Sequence, residues 1–142
     1  GAEIIGIDIA PSAVQLATQQ ADALGLSGSV RFQLQDLFTW TEHDPSQQGA
    51  YDLVVEHNCF CAIEPHQREA YVDAVRGLLR PGGRLVGLFY PHDYPGGPPY
   101  GSTVQEIRTR LSPSFDIAHE EVPTDSVLTR AGLELLLVAA RR

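Results

Sequence analysis

The chain has 142 residues, 43% hydrophobic and 20% charged, a balance that fits one globular domain and excludes disordered, collagen-like and repeat classes. A fold of this length buries about two thirds of its unfolded surface, enough for a core without disulfides or structural metal. Ten Lys and Arg against 18 Asp and Glu give a formal charge of −8, which argues against nucleic acid and anionic lipid as partners.

No apolar run approaches the roughly 18 residues of a membrane span, and Ile4-Ile5 lead to Asp8 without a basic leader, so a cytoplasmic place is expected. Cys59 and Cys61 are one residue apart, which is unfavourable for a disulfide and fits a reducing compartment. The sequence contains no Met and opens almost directly on a strand-like run, from which we expect a domain lacking its N-terminal part.

Ile4 to Ile9 is apolar on both parities, the pattern of a parallel strand covered on both faces. Ser12 and Gln15 have capping-box spacing, Val14, Ala17, Ala21 and Leu24 follow at helical spacing, and Gly25 is a stop. Val30, Phe32 and Leu34 alternate with polar residues as a second strand, and Asp44 to Gly49 is a loop by its turn chemistry. Tyr51 to Glu56 predicts a third strand, followed by a non-repetitive loop through Pro65. Tyr71, Ala74, Val75 and Leu78 place a helix over 67–79 that Pro81-Gly82-Gly83 ends, and Arg84 to Tyr90 supplies a fourth strand. His92 to Gly101 is too rich in Pro and Gly for regular structure, and Ser102 with Gln105 is read as capping a helix bearing Val104, Ile107 and Leu111. Phe115 to Glu120 and Leu133 to Ala140 close the chain as an antiparallel pair. Strands alternating with helices imply an α/β fold with a mostly parallel sheet.

In such a sheet, ligands lie beyond the carboxyl ends of the strands. Asp8, with Ile9 beside it, stands at the first such end, where one carboxylate can accept both hydroxyls of a ribose; the alternative is a carboxylate serving only its own turn. Asp36, followed by Leu37, can accept from an adenine amino group; the alternative is a solvated loop aspartate. Together they fit an adenosine-bearing ligand and leave adenosylmethionine and a dinucleotide both open. Glu56 and His57 end the third strand within a ligand's reach, and His57 can serve as a base for a thiol, against a purely structural role. His57, Cys59, Cys61 and His66 can be drawn as a metal site, but single-residue Cys spacing is not that of a zinc knuckle, so no metal is expected and both cysteines are read as small buried hydrophobes.

The segments Gly6-Ile-Asp-Ile-Ala-Pro-Ser-Ala13, Phe60-Cys-Ala-Ile-Glu-Pro65, Leu78-Leu-Arg-Pro-Gly-Gly83 and Gly96-Gly-Pro-Pro-Tyr100 resemble class I S-adenosylmethionine-dependent methyltransferases, and more narrowly the thiopurine S-methyltransferase family with its thiol and halide methyltransferase relatives. The resemblance runs from Gly1 to Arg142. The glycine-rich loop that such enzymes carry after their first strand is not in this sequence, which again leads to the expectation of N-terminal truncation. The resemblance implies a doubly wound Rossmann-like fold, S-adenosylmethionine as cofactor, and a small-molecule methyl acceptor with a thiol or other soft nucleophile. Asp8, Ile9, Asp36, Leu37, Glu56 and His57 then face the cofactor, and Phe60, Ile63, Tyr94 and Tyr100 the acceptor; for these four, core packing or loop anchoring is the alternative. The competing readings are a non-catalytic binding or interaction module and, on fold class alone, a nicotinamide-dependent oxidoreductase. Oligomeric state is not legible in the sequence.

Overall fold

A computed structural model describes residues 1–142. In chain order the elements are β1 (Ile4–Asp8), α1 (Pro11–Ala23), β2 (Val30–Leu34), α2 (Trp40–His43), β3 (Tyr51–His57), α3 (Cys59–Ala62), α4 (Arg68–Leu78), β4 (Leu79–Phe89), α5 (Val104–Leu111), β5 (Phe115–Glu121) and β6 (Leu135–Arg141). β1 pairs with β2 in parallel, and β3 with β4 in parallel. β6 pairs antiparallel with both β4 and β5, as the closing strands predict. The ladders form two sheets, β1-β2 and β3-β4-β6-β5. No helix is long and apolar enough to cross a membrane.

The core lies on one face of the four-stranded sheet. Leu85 and Phe89 of β4 and Leu135, Leu137 and Ala139 of β6 have the same parity, so they point together at Tyr71, Val72 and Val75 of α4 and Ile107 and Leu111 of α5. Each such buried side chain contributes on the order of 1.5–3 kcal/mol of transfer free energy. On the opposite face Leu53 is 49% and Val55 70% exposed, and in β1 Ile4 is 51% exposed. The expectation that β1 is covered on both faces is therefore corrected: a continuous apolar run makes burial possible, but neighbouring elements decide it.

Local chemistry sets the element ends, and three differ from the sequence reading. Pro11, not Ser12, opens α1; Ala10 is the cap residue, and Ser12 lies inside the first turn. Proline's fixed φ and missing N–H suit that first position and override the Ser12 and Gln15 spacing. At α5 the cap is Thr103, whose Oγ1 accepts the Glu106 N–H at 3.0 Å, while Ser102 bridges to His92. The spacing rule matched both neighbouring positions, and the one that puts an acid in the first turn, where the helix dipole favours it, is the one formed. Finally, α4 ends at Leu78 and β4 starts at once; Pro81, Gly82 and Gly83 bulge out of the strand, shifting the register between Tyr51 opposite Leu79 and Leu53 opposite Arg84.

Candidate functional site

Asp8 ends β1 opposite Leu34, the last residue of β2, and Asp36 follows two positions further on. Asp8 Oδ1 accepts the Ala10 N–H at 2.8 Å, and Asp36 Oδ1 accepts the Phe38 N–H at 2.9 Å. Each carboxylate thus spends one oxygen on its own turn and keeps the other free of protein donors. Both are exposed, as is Ile9, while Leu37 is half-buried. Leu37 and Phe38 pack against the main core together with Cys59 and Ile63, which ties the loop after β2 to the end of β3. Asp8 lies close enough to that end for its charge to raise the Cys59 thiol.

The end of β3 is built around Glu56. Only 4% exposed, its carboxylate accepts the Cys59 N–H at 2.8 Å, the Phe60 N–H at 3.1 Å and the Tyr71 hydroxyl at 2.7 Å. Gly87 on β4 leaves room chiefly for the Phe89 ring and also for Glu56, since a Cβ there would come within 2.4 Å of the ring and 3.1 Å of Glu56 Cγ. Burial pushes the Glu56 carboxyl up, partly offset by those three donors and by His57; burial and then the Glu56 charge push the Tyr71 hydroxyl well above its ordinary range. The carboxylate placed by sequence against the cofactor is therefore occupied by the protein: it caps the short helix α3, which the sequence showed only as a loop. His57, the next residue, is exposed.

Phe60, for which core packing was the alternative to the acceptor side, is 2% exposed, and its ring meets Tyr71 and Phe89 edge-on at 5.7 and 5.6 Å. Ile63, after α3, is half-buried. Cys61 is buried and donates to the Asn58 carbonyl, and burial, then Glu56, push the Cys59 thiol up to about 12. No three His, Cys, Asp or Glu side chains converge to hold a metal ion.

The loop after β4 is folded back on itself. The Ser102 N–H donates to the His92 carbonyl at 2.9 Å, and His92 Nδ1 accepts the Tyr94 N–H at 3.2 Å. The Tyr90, His92 and Tyr94 rings form a column, with centroids 4.8 and 5.1 Å apart, and the Arg130 guanidinium sits 4.6 Å from the Tyr90 centroid. Tyr94, the outer ring, is 57% exposed. Tyr100 is half-buried over Gly97, where a Cβ would come within 2.4 Å of its ring, and its N–H donates to the Cys61 carbonyl at 2.7 Å. The structure thus joins Tyr100 to α3 and leaves Tyr94 facing solvent.

Three residues here escape a reading of the sequence. Tyr71 reads as one more apolar position of α4, His92 as filler in a Pro- and Gly-rich stretch, and Arg68 as a surface charge one turn after Pro65. Only the last carries any sequence signal, a lone arginine among the early positions of a helix, and that is too common to act on.

Chemically, two half-free carboxylates stand at the ends of one parallel pair, and an anchored aromatic loop stands over the ends of the next. A family model described as thiopurine S-methyltransferase matches residues 1–135. Thiocyanate methyltransferase 1 of Brassica oleracea is 34% identical over 135 residues, covering 94% of this chain and 58% of that protein. The probable thiol methyltransferase 2 of Arabidopsis thaliana is 35% identical over 138 residues, with the same shares covered. The chain thus spans somewhat over half the length of these relatives. Among solved structures, a SAM-dependent methyltransferase from Methanosarcina mazei superposes with a TM-score of 0.75 at 20% identity, covering 98% of this chain and 82% of that one. The N-methyltransferase NodS from Bradyrhizobium japonicum, in complex with S-adenosyl-L-homocysteine, gives 0.71 at 18% identity, covering 99% and 66%. At such identities the two structures speak for the fold alone, a Rossmann-like one.

Proposed function

Because the chain belongs to the thiopurine S-methyltransferase family, we propose that the protein transfers the methyl group of S-adenosylmethionine to a small molecule bearing a thiol or another soft nucleophile. The observation that carries this is the pair of half-free carboxylates at neighbouring strand ends. A ribose diol and an adenine amino group need acceptors there, and Asp8 and Asp36 have the free oxygens to supply them. The names of the two plant relatives support the soft acceptor.

S-adenosylmethionine supplies a methyl group on a positively charged sulfur, so the leaving group is already activated. What remains for the protein is to bind, align and keep water out. Ile9 and Leu37 flank the two aspartates as apolar neighbours of the adenosine. Ile63, Tyr94 and Tyr100 supply apolar surface on the acceptor side, with Phe60 packed behind them. His57, exposed at the end of β3, can accept a thiol proton, a modest task because a free thiol ionises near pH ~8.5. Glu56 takes no part in proton transfer and holds the α3 turn.

The test uses the protein as its own gene encodes it, with methyl-labelled S-adenosylmethionine and a panel of an aromatic thiol, an alkyl thiol, thiocyanate, iodide and phenol. Labelled product from at least one soft nucleophile, at a rate above that with phenol, is expected. Transfer to phenol alone would refute the soft-acceptor assignment, and cofactor binding with no transfer at all would make the protein a binding module.

A further inference from the structure

Arg68 lies in the first turn of α4 and is 1% exposed. Its Nη1 donates to both oxygens of Glu106 on α5, at 3.1 and 3.0 Å. Its Nη2 donates to the carbonyls of Tyr100 and Gly101, at 3.2 and 2.9 Å. The guanidinium carbon stands 4.8 Å from the centroid of the Phe60 ring. One planar group therefore touches the α3 turn, the loop after β4 and helix α5, three segments far apart in sequence.

Joining α4 to α5 does not require this. Ile107 and Leu111 already pack α5 into the core, and an ion pair between helices could stay in solvent. Burial of the charge is sustained by Glu106, which Arg110 also binds, at 2.8 Å. What the guanidinium adds is a pair of donors aimed at two successive loop carbonyls and a flat face against Phe60. An arginine fork can do both at once, whereas a lysine ammonium has no such face and no fixed fork. The Tyr100 N–H bond to the Cys61 carbonyl completes the join, so the loop backbone at 100–101 is fixed to the α3 turn from two sides.

We propose that Arg68 is the positioning residue of the acceptor site: it holds the Tyr100–Gly101 backbone against the α3 turn and so fixes the loop that presents Tyr94 and Tyr100 to the acceptor. This rests on the reading of the loop as the acceptor side of a methyl-transfer site.

The experiment compares wild type with Arg68→Lys, again in the protein as its own gene encodes it, by amide hydrogen exchange and by kinetics. In the wild type, the Tyr100 and Ser102 amides should exchange far more slowly than unstructured chain. In Arg68→Lys they should speed up by about tenfold or more, with sheet amides such as Val86 and Leu137 unchanged. KM for the thiol should rise by about five- to twentyfold, with kcat and the dissociation constant for S-adenosylmethionine within about twofold of wild type. Unprotected Tyr100 and Ser102 amides in the wild type overturn the proposal even if the variant does not fold. So does a uniform rise in exchange across the chain, or an unchanged KM, either of which would mark Arg68 as a general stabiliser. Selective loosening of the loop in a protein that methylates nothing would uphold the clamp and defeat the methyl-transfer reading instead.

Discussion

At the scale of single residues, ligand binding turns on which polar atoms the protein uses for itself. Asp8 keeps an oxygen free of protein donors and Glu56 does not, though sequence placed both against the cofactor. Asp8→Ala should therefore weaken S-adenosylmethionine by about 1.5–3 kcal/mol, roughly 10- to 150-fold, by calorimetry. Unchanged affinity in a folded variant would remove the ribose assignment. Tyr71→Phe should leave cofactor affinity alone and cost about 1–2 kcal/mol in urea unfolding, because the buried Glu56 carboxylate loses its strongest neighbour. The cysteines give a third check. With its thiol pushed up to about 12, Cys59 holds almost no thiolate at neutral pH, and Cys61 is buried, so both should react with a disulfide reagent at least about a hundredfold more slowly than free cysteine. Rapid release of one equivalent of chromophore would contradict that environment.

At the scale of elements, the loop from Tyr94 to Tyr100 is a shaped structure, fixed by the His92 bonds and by its join to α3. Replacing Tyr94 and Tyr100 together with Ala should lower kcat/KM for the acceptor at least several-fold, with cofactor affinity within about 0.5 kcal/mol of wild type. The reverse pattern, cofactor binding lost and acceptor kinetics intact, would move the loop to the adenosine side. Element types were legible in the sequence because they follow periodicity: the alternation of Val30, Phe32 and Leu34, and the helical spacing of Tyr71, Val75 and Leu78, each correspond to an observed strand or helix. Ends were less legible, since the capping pattern fits at both Ser102 and Thr103 and spacing alone does not choose between them. The short helix α3 was not legible at all. Four residues carry no period, and what holds them is Glu56, a contact made from the preceding strand. The same limit hides Arg68, whose partners lie 32 to 38 positions away.

At the scale of the whole molecule, the excess of acid is uneven in its effect on stability. Burial alone would raise the Glu106 carboxyl, but hydrogen bonds and charge from Arg110 and Arg68 outweigh it and hold the group below its ordinary range. A depressed carboxyl contributes stability above its unfolded pKa and loses it as pH falls through the folded value. Glu106→Gln should thus be less stable than wild type near neutral pH by about 1–3 kcal/mol, less than for a fully buried pair because Glu106 keeps 28% exposure. The gap in urea midpoints should close as the pH drops below about 4.3; a gap that widens on acidification would contradict the sign.

The central claim is that an adenosyl sulfonium, and not a nicotinamide dinucleotide, belongs at the ends of β1, β2 and β3. Calorimetric titration of the protein as its own gene encodes it, first with S-adenosylmethionine and then with NAD, tests it most directly. The account predicts saturable single-site binding of S-adenosylmethionine, a gain in unfolding free energy of about 2.7 kcal/mol at a hundredfold excess over its dissociation constant, and no heat with NAD. Binding of NAD with none of S-adenosylmethionine would contradict it.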